Sequence, residues 1–385
     1  MTVTLPWSLE CSACGAPRDA TGLPGVCERC GQPYLVRYRS APGADTKARL
    51  RERGWTMWRY REWLPLTDGE APVSLGEGGT PLVALHRLGA KYGLPELALK
   101  EEGTNPTGSF KARGLAAAVT RAVRSGAKHF VVPTAGNAGI ALAAYAARAG
   151  ASARVYAPTS TPPAILAQIR AFGAELVLVD GHIGDCGTQA RAYATESGAV
   201  DVSTLREPYR IEGKKTLGLE LAEQGGWTLP AAVVYPTGGG TGLIGMWKAF
   251  RELQEAGWVR GKPPRMYSVQ SSGCAPVVRA FESGAERCEP WPDPRTVAAG
   301  LRVPAPFGDR LMLAALRESG GGVAAVSESE LVAAARELQT VEGVDASPEG
   351  GASLAGALAL KARGAIEPEE RVVIFNTGAG WLYRA

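Results

Sequence analysis

Long apolar runs are missing from this sequence: no stretch approaches the ~20 consecutive apolar residues that a bilayer span requires. The opening segment, MTVTLPWSLECSACG, lacks a basic patch followed by an apolar core. A secretory signal is therefore not expected there, and the cytosol is the expected compartment. Excess charge is lacking too. A net charge of +4 over 385 residues is too small by itself to argue for nucleic acid or a membrane surface. No internal repeat and no long low-complexity tract interrupts the chain. What is present is ordinary for a globular protein, with 45% hydrophobic and 21% charged residues. The length exceeds one core, so two compact units plus a small appendage are expected.

Seven cysteines are present, and four of them, Cys11, Cys14, Cys27 and Cys30, form C-x2-C-x12-C-x2-C. In a cytosolic chain, paired knuckles of this kind point to metal ligation rather than disulfides. Four thiolates suit tetrahedral Zn²⁺ in a closed, structural site. Gly15 and Gly31 follow the knuckles and permit their tight turns. The alternative is a ribbon that has lost its metal. Cys186, Cys274 and Cys288 are expected to be small buried residues.

Residues 45–65 interleave arginine with Trp55, Trp58 and Trp63. A basic stretch with aromatics is one form of nucleic-acid surface, but an arm packing its tryptophans on the next domain is the preferred reading. From residue 96 onward apolar strands alternate with alanine-rich helical stretches. Segments 97–100, 129–134, 153–158, 175–180, 231–236, 265–270 and 371–376 read as buried strands, and 136–150 and 162–173 read as helices between them. Such alternation predicts an α/β fold of open parallel sheets with helices on both faces. Ligands in these sheets sit at the carboxyl ends of strands.

Four segments at those ends carry chemistry. In EEGTNPTGSFKARGL (101–115), Ser109 is placed to cap a helix that begins near Phe110, with Lys111 in its first turn. The helix dipole there should lower the lysine pKa and favour imine formation, although a lysine at a helix start is most often simply solvated. In VVPTAGNAG (131–139), small residues leave backbone N–H groups free for a carboxylate. Asn137 could bond a ring oxygen or merely cap the helix. Thr237-Gly238-Gly239-Gly240-Thr241-Gly242 follows a strand and precedes a helix, the context of an anion cradle. Its spacing matches neither nucleotide-binding glycine motif. In RVVIFNTGAG (371–380), Asn376 and Thr377 are delivered into a glycine turn, where the Thr377 hydroxyl could meet a ring nitrogen or its own turn.

A lysine, an anion cradle, an amide for a ring oxygen and a hydroxyl for a ring nitrogen are the contacts that pyridoxal phosphate needs. The sequence resembles the fold-type II pyridoxal-phosphate enzymes, and within them the threonine synthases. The resemblance runs from about residue 58. It rests on WRYREWLPL (58–66), GEGGTPL (76–82), NPTGSFKARG (105–114), TAGN (134–137), EPYRIEGKKT (207–216), GGGTG (238–242), SPEGGASLAG (347–356) and NTGAG (376–380).

The resemblance implies two α/β lobes with the cofactor between them. The division it gives is a zinc ribbon at 1–40, an arm and part of the large lobe at 41–100, a smaller lobe at 101–209 and the rest of the large lobe at 210–385. It implies that Lys111 carries the cofactor as an imine and that Phe110 lies beside it. Gly238, Gly239, Gly240 and Thr241 would take the phosphate, Asn137 the ring 3-oxygen and Thr377 the pyridine nitrogen. Thr134, Ala135, Gly136, Asn137 and Ala138 would hold the substrate carboxylate, with Ser109 also at the substrate. Glu349 falls near the cofactor or the domain interface. Ser109, Arg113, Arg210 and Lys214 are candidates for the leaving phosphate, although Arg113 and Lys111 should not share a helix face. The implied reaction converts O-phospho-L-homoserine and water to L-threonine and phosphate in a homodimer, with no nucleic-acid or membrane partner. Ala112 and Ala135 depart from the usual family pattern. Serine or threonine deamination, or β-replacement as in cysteate synthase, therefore remains as an alternative, and a non-enzymatic zinc-ribbon binding protein is a remote one.

Overall fold

The computed structural model describes residues 5–384. A small antiparallel sheet opens the chain, with β1 (Trp7–Cys11) between β2 (Pro17–Arg18) and β3 (Tyr34–Tyr38). The arm follows as a short helix, Ala44–Arg49, and a 3-10 segment, Met57–Trp63. Trp63 packs edge-on against Trp258 with ring centroids 5.1 Å apart, and the Trp58 indole donates to Glu77. Trp55 stays at the surface beneath the Arg59 guanidinium.

The large sheet begins with β4 (Leu82–Ala84) and β5 (Leu97–Glu101). The chain then leaves to build a second, parallel sheet. Its strands are β6 (His129–Pro133), β7 (Ser152–Pro158), β8 (Glu175–Val179) and β9 (Val200–Asp201), in the order β8-β7-β6-β9. It returns to complete the large sheet with β10 (Ala232–Pro236), β11 (Arg265–Ser271), β12 (Gly322–Val326) and β13 (Val372–Asn376). The order there is β12-β11-β10-β13-β5-β4, parallel except for β4. Strands β10 and β13 are buried along their whole length, as parallel strands covered by helices on both faces must be.

Every strand expected from an apolar run is present. The strand β12 escaped the sequence reading because GVAAV is short and built of small residues. No helix among the described residues is long and apolar enough to cross a membrane.

One helix, Lys111–Arg124, joins the two lobes. Its alanine and leucine face packs in the core of the smaller sheet. On another side it crosses the helix Tyr209–Gln224. The crossing is backbone against backbone: a Cβ placed on Gly213 would lie 2.1 Å from the Arg113 carbonyl oxygen. Phe110 occupies the formal cap position without a side-chain bond, while the hydroxyl of Ser109, one residue earlier, accepts from the Lys111 N–H at 3.4 Å and its backbone bridges to Gly378.

A buried charge cluster fixes the helix start. Arg113 Nε and Nη2 each donate at 2.7 Å to Glu102, and Nη1 and Nη2 donate to Glu220 at 2.6 and 2.8 Å. Lys100 adds a bond of 2.8 Å to Glu220. None of these four side chains is exposed. Burial alone would raise both carboxyls, but Arg113 and Lys100 hold them below the ordinary range. Removing one partner from such a cluster leaves uncompensated buried charge, at a cost of about 3–5 kcal/mol. Arg113→Leu should therefore lose about that much stability in urea denaturation, and a loss below about 1 kcal/mol would contradict the assignment.

Candidate active site

A cleft of about 350 Å³ opens between the lobes at the carboxyl ends of β6, β10 and β13, a size suited to a small organic ligand. Lys111 is the first residue of its helix and lines this cleft beside Phe110, with Nζ 3.8 Å from the ring centroid. Burial lowers the amine to about pKa 7, helped by the Arg210 charge and opposed by Glu349. A neutral amine at the end of a cleft is a nucleophile at neutral pH.

Across the cleft, β10 ends in Thr237 and the chain curls through Gly238, Gly239 and Gly240 into the helix Thr241–Glu255. Gly240 has φ +77°, and a Cβ there would lie 2.1 Å from Met312 Sδ. Only glycine fits. Among the described residues, none of the N–H groups from Gly238 to Gly242 donates to a backbone carbonyl. Five N–H groups are thus left open at or just before the positive end of a 15-residue helix, the physical basis of an anion site.

The loop after β6 is arranged in the same way. Gly136 caps the helix Asn137–Arg148, so Asn137 is its first residue rather than its cap. The N–H groups of Ala135, Asn137 and Ala138 have no backbone acceptor among the described residues. The Thr134 hydroxyl is occupied within the turn, donating to Gly136 O and accepting from Gly136 N–H at 2.9 Å each. Asn137 Nδ2 lies 3.1 Å from the Tyr383 hydroxyl, while its Oδ1 is buried without a partner. A half-turn of the amide lets the hydroxyl donate to Oδ1 and presents N–H to the cleft.

Thr377 lines the cleft at the end of β13, and its carbonyl accepts the Phe110 N–H at 3.0 Å. Glu349 reaches in from the helix Pro348–Ala362. One oxygen accepts from Gly300 N–H at 2.7 Å and the other has no partner. Burial and Glu349 together keep the Tyr383 hydroxyl protonated.

Three candidates for anion binding do not reach the cleft. Arg113 points the other way into its carboxylate cluster, two positions round the helix from Lys111. Ser109 is fully buried, and Lys214 is spent on the Phe110 carbonyl. Arg210 does line the cleft, but it is buried, with Nη1 on Val202 O at 2.6 Å. Sequence reasoning missed Arg206, Arg302 and Tyr383, which also face the cleft; they lie on loops and a terminal 3-10 turn with no periodic signal.

The donor set fits pyridoxal phosphate: an amine poised near neutrality, a glycine cradle closed to a Cβ, backbone N–H groups without a backbone acceptor among the described residues, and an Asn137 amide whose Oδ1 is left without a partner. Comparison with known proteins agrees. Residues 73–378 match the family of pyridoxal-phosphate dependent enzymes. The threonine synthase of Methanocaldococcus jannaschii is 35% identical over 96% of this chain and 92% of its own. That of Mycobacterium tuberculosis is 36% identical over 83% and 86%. The chain belongs to the threonine synthase family of pyridoxal-phosphate dependent enzymes. The solved structure of a threonine deaminase from T.th. superposes with a TM-score of 0.66 at 30% identity, covering 78% of this chain and 92% of that one. The scaffold alone therefore does not choose the reaction.

The low lysine pKa gives a direct test in the cofactor-free protein. Labelling of the Lys111 peptide by an amine-reactive reagent should rise with a midpoint near pH 7, since the amine is neutral above its lowered pKa. A midpoint near the ordinary lysine value of ~10.4 would show that the cleft does not desolvate the amine.

Proposed function

We propose that this member of the family converts O-phospho-L-homoserine and water to L-threonine and phosphate. The phosphate leaves Cγ with the bonding pair, Cβ loses a proton and Cγ gains one, the hydroxyl of water takes the freed place at Cβ, and the water proton leaves with the phosphate. The observation that carries this reading is the near-full-length identity with threonine synthases, joined to a cleft whose open donors match the cofactor. When bound, pyridoxal phosphate supplies an aldehyde for the substrate amine and a ring that takes up electrons released at Cα.

The residues divide the remaining work. Lys111 would hold the cofactor and, once displaced by the substrate amine, take the proton from Cα and return it there. A base with a pKa near 7 is matched to that task at neutral pH. Gly238, Gly239, Gly240 and Thr241 would hold the cofactor phosphate through their N–H groups. Asn137 would bond the ring oxygen, oriented by Tyr383, and Thr377 would face the ring nitrogen. A threonine cannot keep that nitrogen charged as a carboxylate would, which limits electron withdrawal. The N–H groups of Ala135, Asn137 and Ala138 would receive the substrate carboxylate. Phe110 would pack beside the ring.

We also propose that the ribbon holds structural zinc. The sulfur atoms of Cys11, Cys14, Cys27 and Cys30 lie within 4.8 Å of one another, with close pairs at 3.3, 3.6 and 3.7 Å. Four thiolates ~2.3 Å from a tetrahedral centre are about 3.8 Å apart. The pair Cys14→Ser and Cys30→Ser should lower metal content from about one zinc per chain to none, read by elemental analysis, and reduce Tm. Retained metal would place it elsewhere.

The reaction is tested by incubating the holoenzyme with O-phospho-L-homoserine. Threonine and phosphate should appear in equal amounts and vanish in Lys111→Ala, with loss of the visible cofactor absorbance that borohydride also abolishes. Keto acid from serine or threonine, with no phosphate released, would assign the chain to deamination instead.

A further inference from the structure

A second cavity, of about 250 Å³, shares no lining residue with the cleft. One wall is the loop 22–25, which joins the two cysteine knuckles of the ribbon. Ala118 and Ala122 of the helix Lys111–Arg124 form another, and segment 198–202 with Glu207 and Tyr209 completes it. The Tyr209 hydroxyl donates to Ala20 O at 3.1 Å, which ties the ribbon to the lobe beside the cavity. Most of the lining is apolar, including Leu23, Pro24, Val200 and Val202. The reaction assigned above makes no use of this space.

Three charged groups stand in this apolar setting. Glu207 is only 7% exposed, and its oxygens accept backbone N–H groups alone, from Tyr209 at 2.7 Å and Arg210 at 3.2 Å. Asp201 accepts the Ser203 N–H at 2.8 Å and the Ser203 hydroxyl through one oxygen, and its other oxygen has no partner among the described residues. Buried carboxylates elsewhere have cations: Glu102 and Glu220 have Arg113, and Glu212 has Lys215 and Lys248. Glu207 and Asp201 have no such ion pair among the described residues. Burial, with the Asp201 charge adding to it, raises the Glu207 carboxyl to about pKa 7 in spite of Arg210 and the two N–H groups. A cation placed near both carboxylates would offset that repulsion. Arg121, 8% exposed, spends Nη1 on Glu70 at 2.7 and 2.9 Å, and its Nε is buried with no partner. A buried donor without an acceptor is a standing cost that a ligand oxygen removes.

Two carboxylates without cations, one guanidinium N–H without an acceptor and a small apolar lining match a molecule with an ammonium and a carboxylate on a short aliphatic body. We propose that this cavity is a second ligand site, which binds an aliphatic α-amino acid with its ammonium toward Asp201 and Glu207, its carboxylate toward Arg121 and its side chain against Ala118, Ala122 and Val202. The site stands independently of the reaction proposed above. It is smaller than the cleft, so the amino acid is a small one. One segment walls both spaces: Val200, Asp201, Val202 and Glu207 line the cavity, whereas Ser203, Thr204, Arg206 and Arg210 line the cleft. The bound amino acid therefore rests on the stretch of chain that carries Arg210.

The test is calorimetric titration of the holoenzyme with L-valine, with isobutylamine, which lacks the carboxylate, and with 3-methylbutanoate, which lacks the ammonium. Valine should bind with a Kd below about 1 mM and leave the visible cofactor absorbance unchanged, since an amine reaching the cofactor would alter it. The amine and the acid should each bind about tenfold more weakly or worse, the loss expected for one charge-assisted bond. Asp201→Asn, Glu207→Gln and Arg121→Lys, the last keeping a charge for Glu70, should each weaken valine by a similar factor. Arg302→Gln, on the cleft wall, should bind valine as the wild type does. No valine binding at about 10 mM overturns the proposal. Equal affinity for the amine or the acid also overturns it, because only one end of the ligand is then read. A loss in Arg302→Gln, or an absorbance change that follows the heat of binding, places valine in the cleft and sinks the second site. Where Arg121→Lys does not fold, the two carboxylate variants, each keeping an acceptor oxygen, decide: unchanged valine affinity in both rejects the assignment.

Discussion

The arrangement depends on a guanidinium held between two carboxylates out of reach of water. Arg113 lies two residues after Lys111, and the pitch of a helix sends the two side chains to different sides. One end of this device is anchored by Glu102, at the end of β5, and Glu220, on the helix Tyr209–Gln224. The other end presents an amine to the cleft. The GEGGTPL segment serves the same purpose: Thr80 meets Arg113 Nη2 at 3.0 Å, and its carbonyl takes a bond of 2.7 Å from Lys100. Residues that never touch a ligand therefore determine where the nucleophile stands.

Much of the fold was legible because parallel strands covered on both faces must be continuously apolar, and runs such as AVVYP and VVIFN are distinctive for that reason. The short strands β4, β9 and β12 were not, since two to five small or mixed residues carry no period. In the cleft, Lys111, the glycine loop, the Asn137 turn and Thr377 were legible because each is a contiguous piece ending a strand or starting a helix. Of the candidates for the leaving phosphate, Arg210 lines the cleft and the other three do not. Ser109, Arg113 and Lys214 lie near Lys111 in sequence or motif, but backbone pairing and helical phase turn them inward. Arg206 and Arg302 come from separate loops, and only the tertiary structure brings both to the cleft.

The cleft is also asymmetric in charge. Lys111, Arg191, Arg206, Arg210 and Arg302 line it against Glu349, while the protein as a whole carries only +4. Concentrating positive charge where low-dielectric walls focus the field favours ligands bearing phosphate and carboxylate. It also explains why the amine of Lys111 loses its proton readily, since a neighbouring cation adds to the penalty of burial.

The glycine crossing between the helices Lys111–Arg124 and Tyr209–Gln224 has a mechanical consequence. With no side chain interposed at Gly213, the Arg113 carbonyl packs directly on the partner helix, and any Cβ there would have to push the two helices apart. Lys111 is the first residue of one of those helices, so where its amine stands in the cleft rests in part on a residue that has no side chain at all.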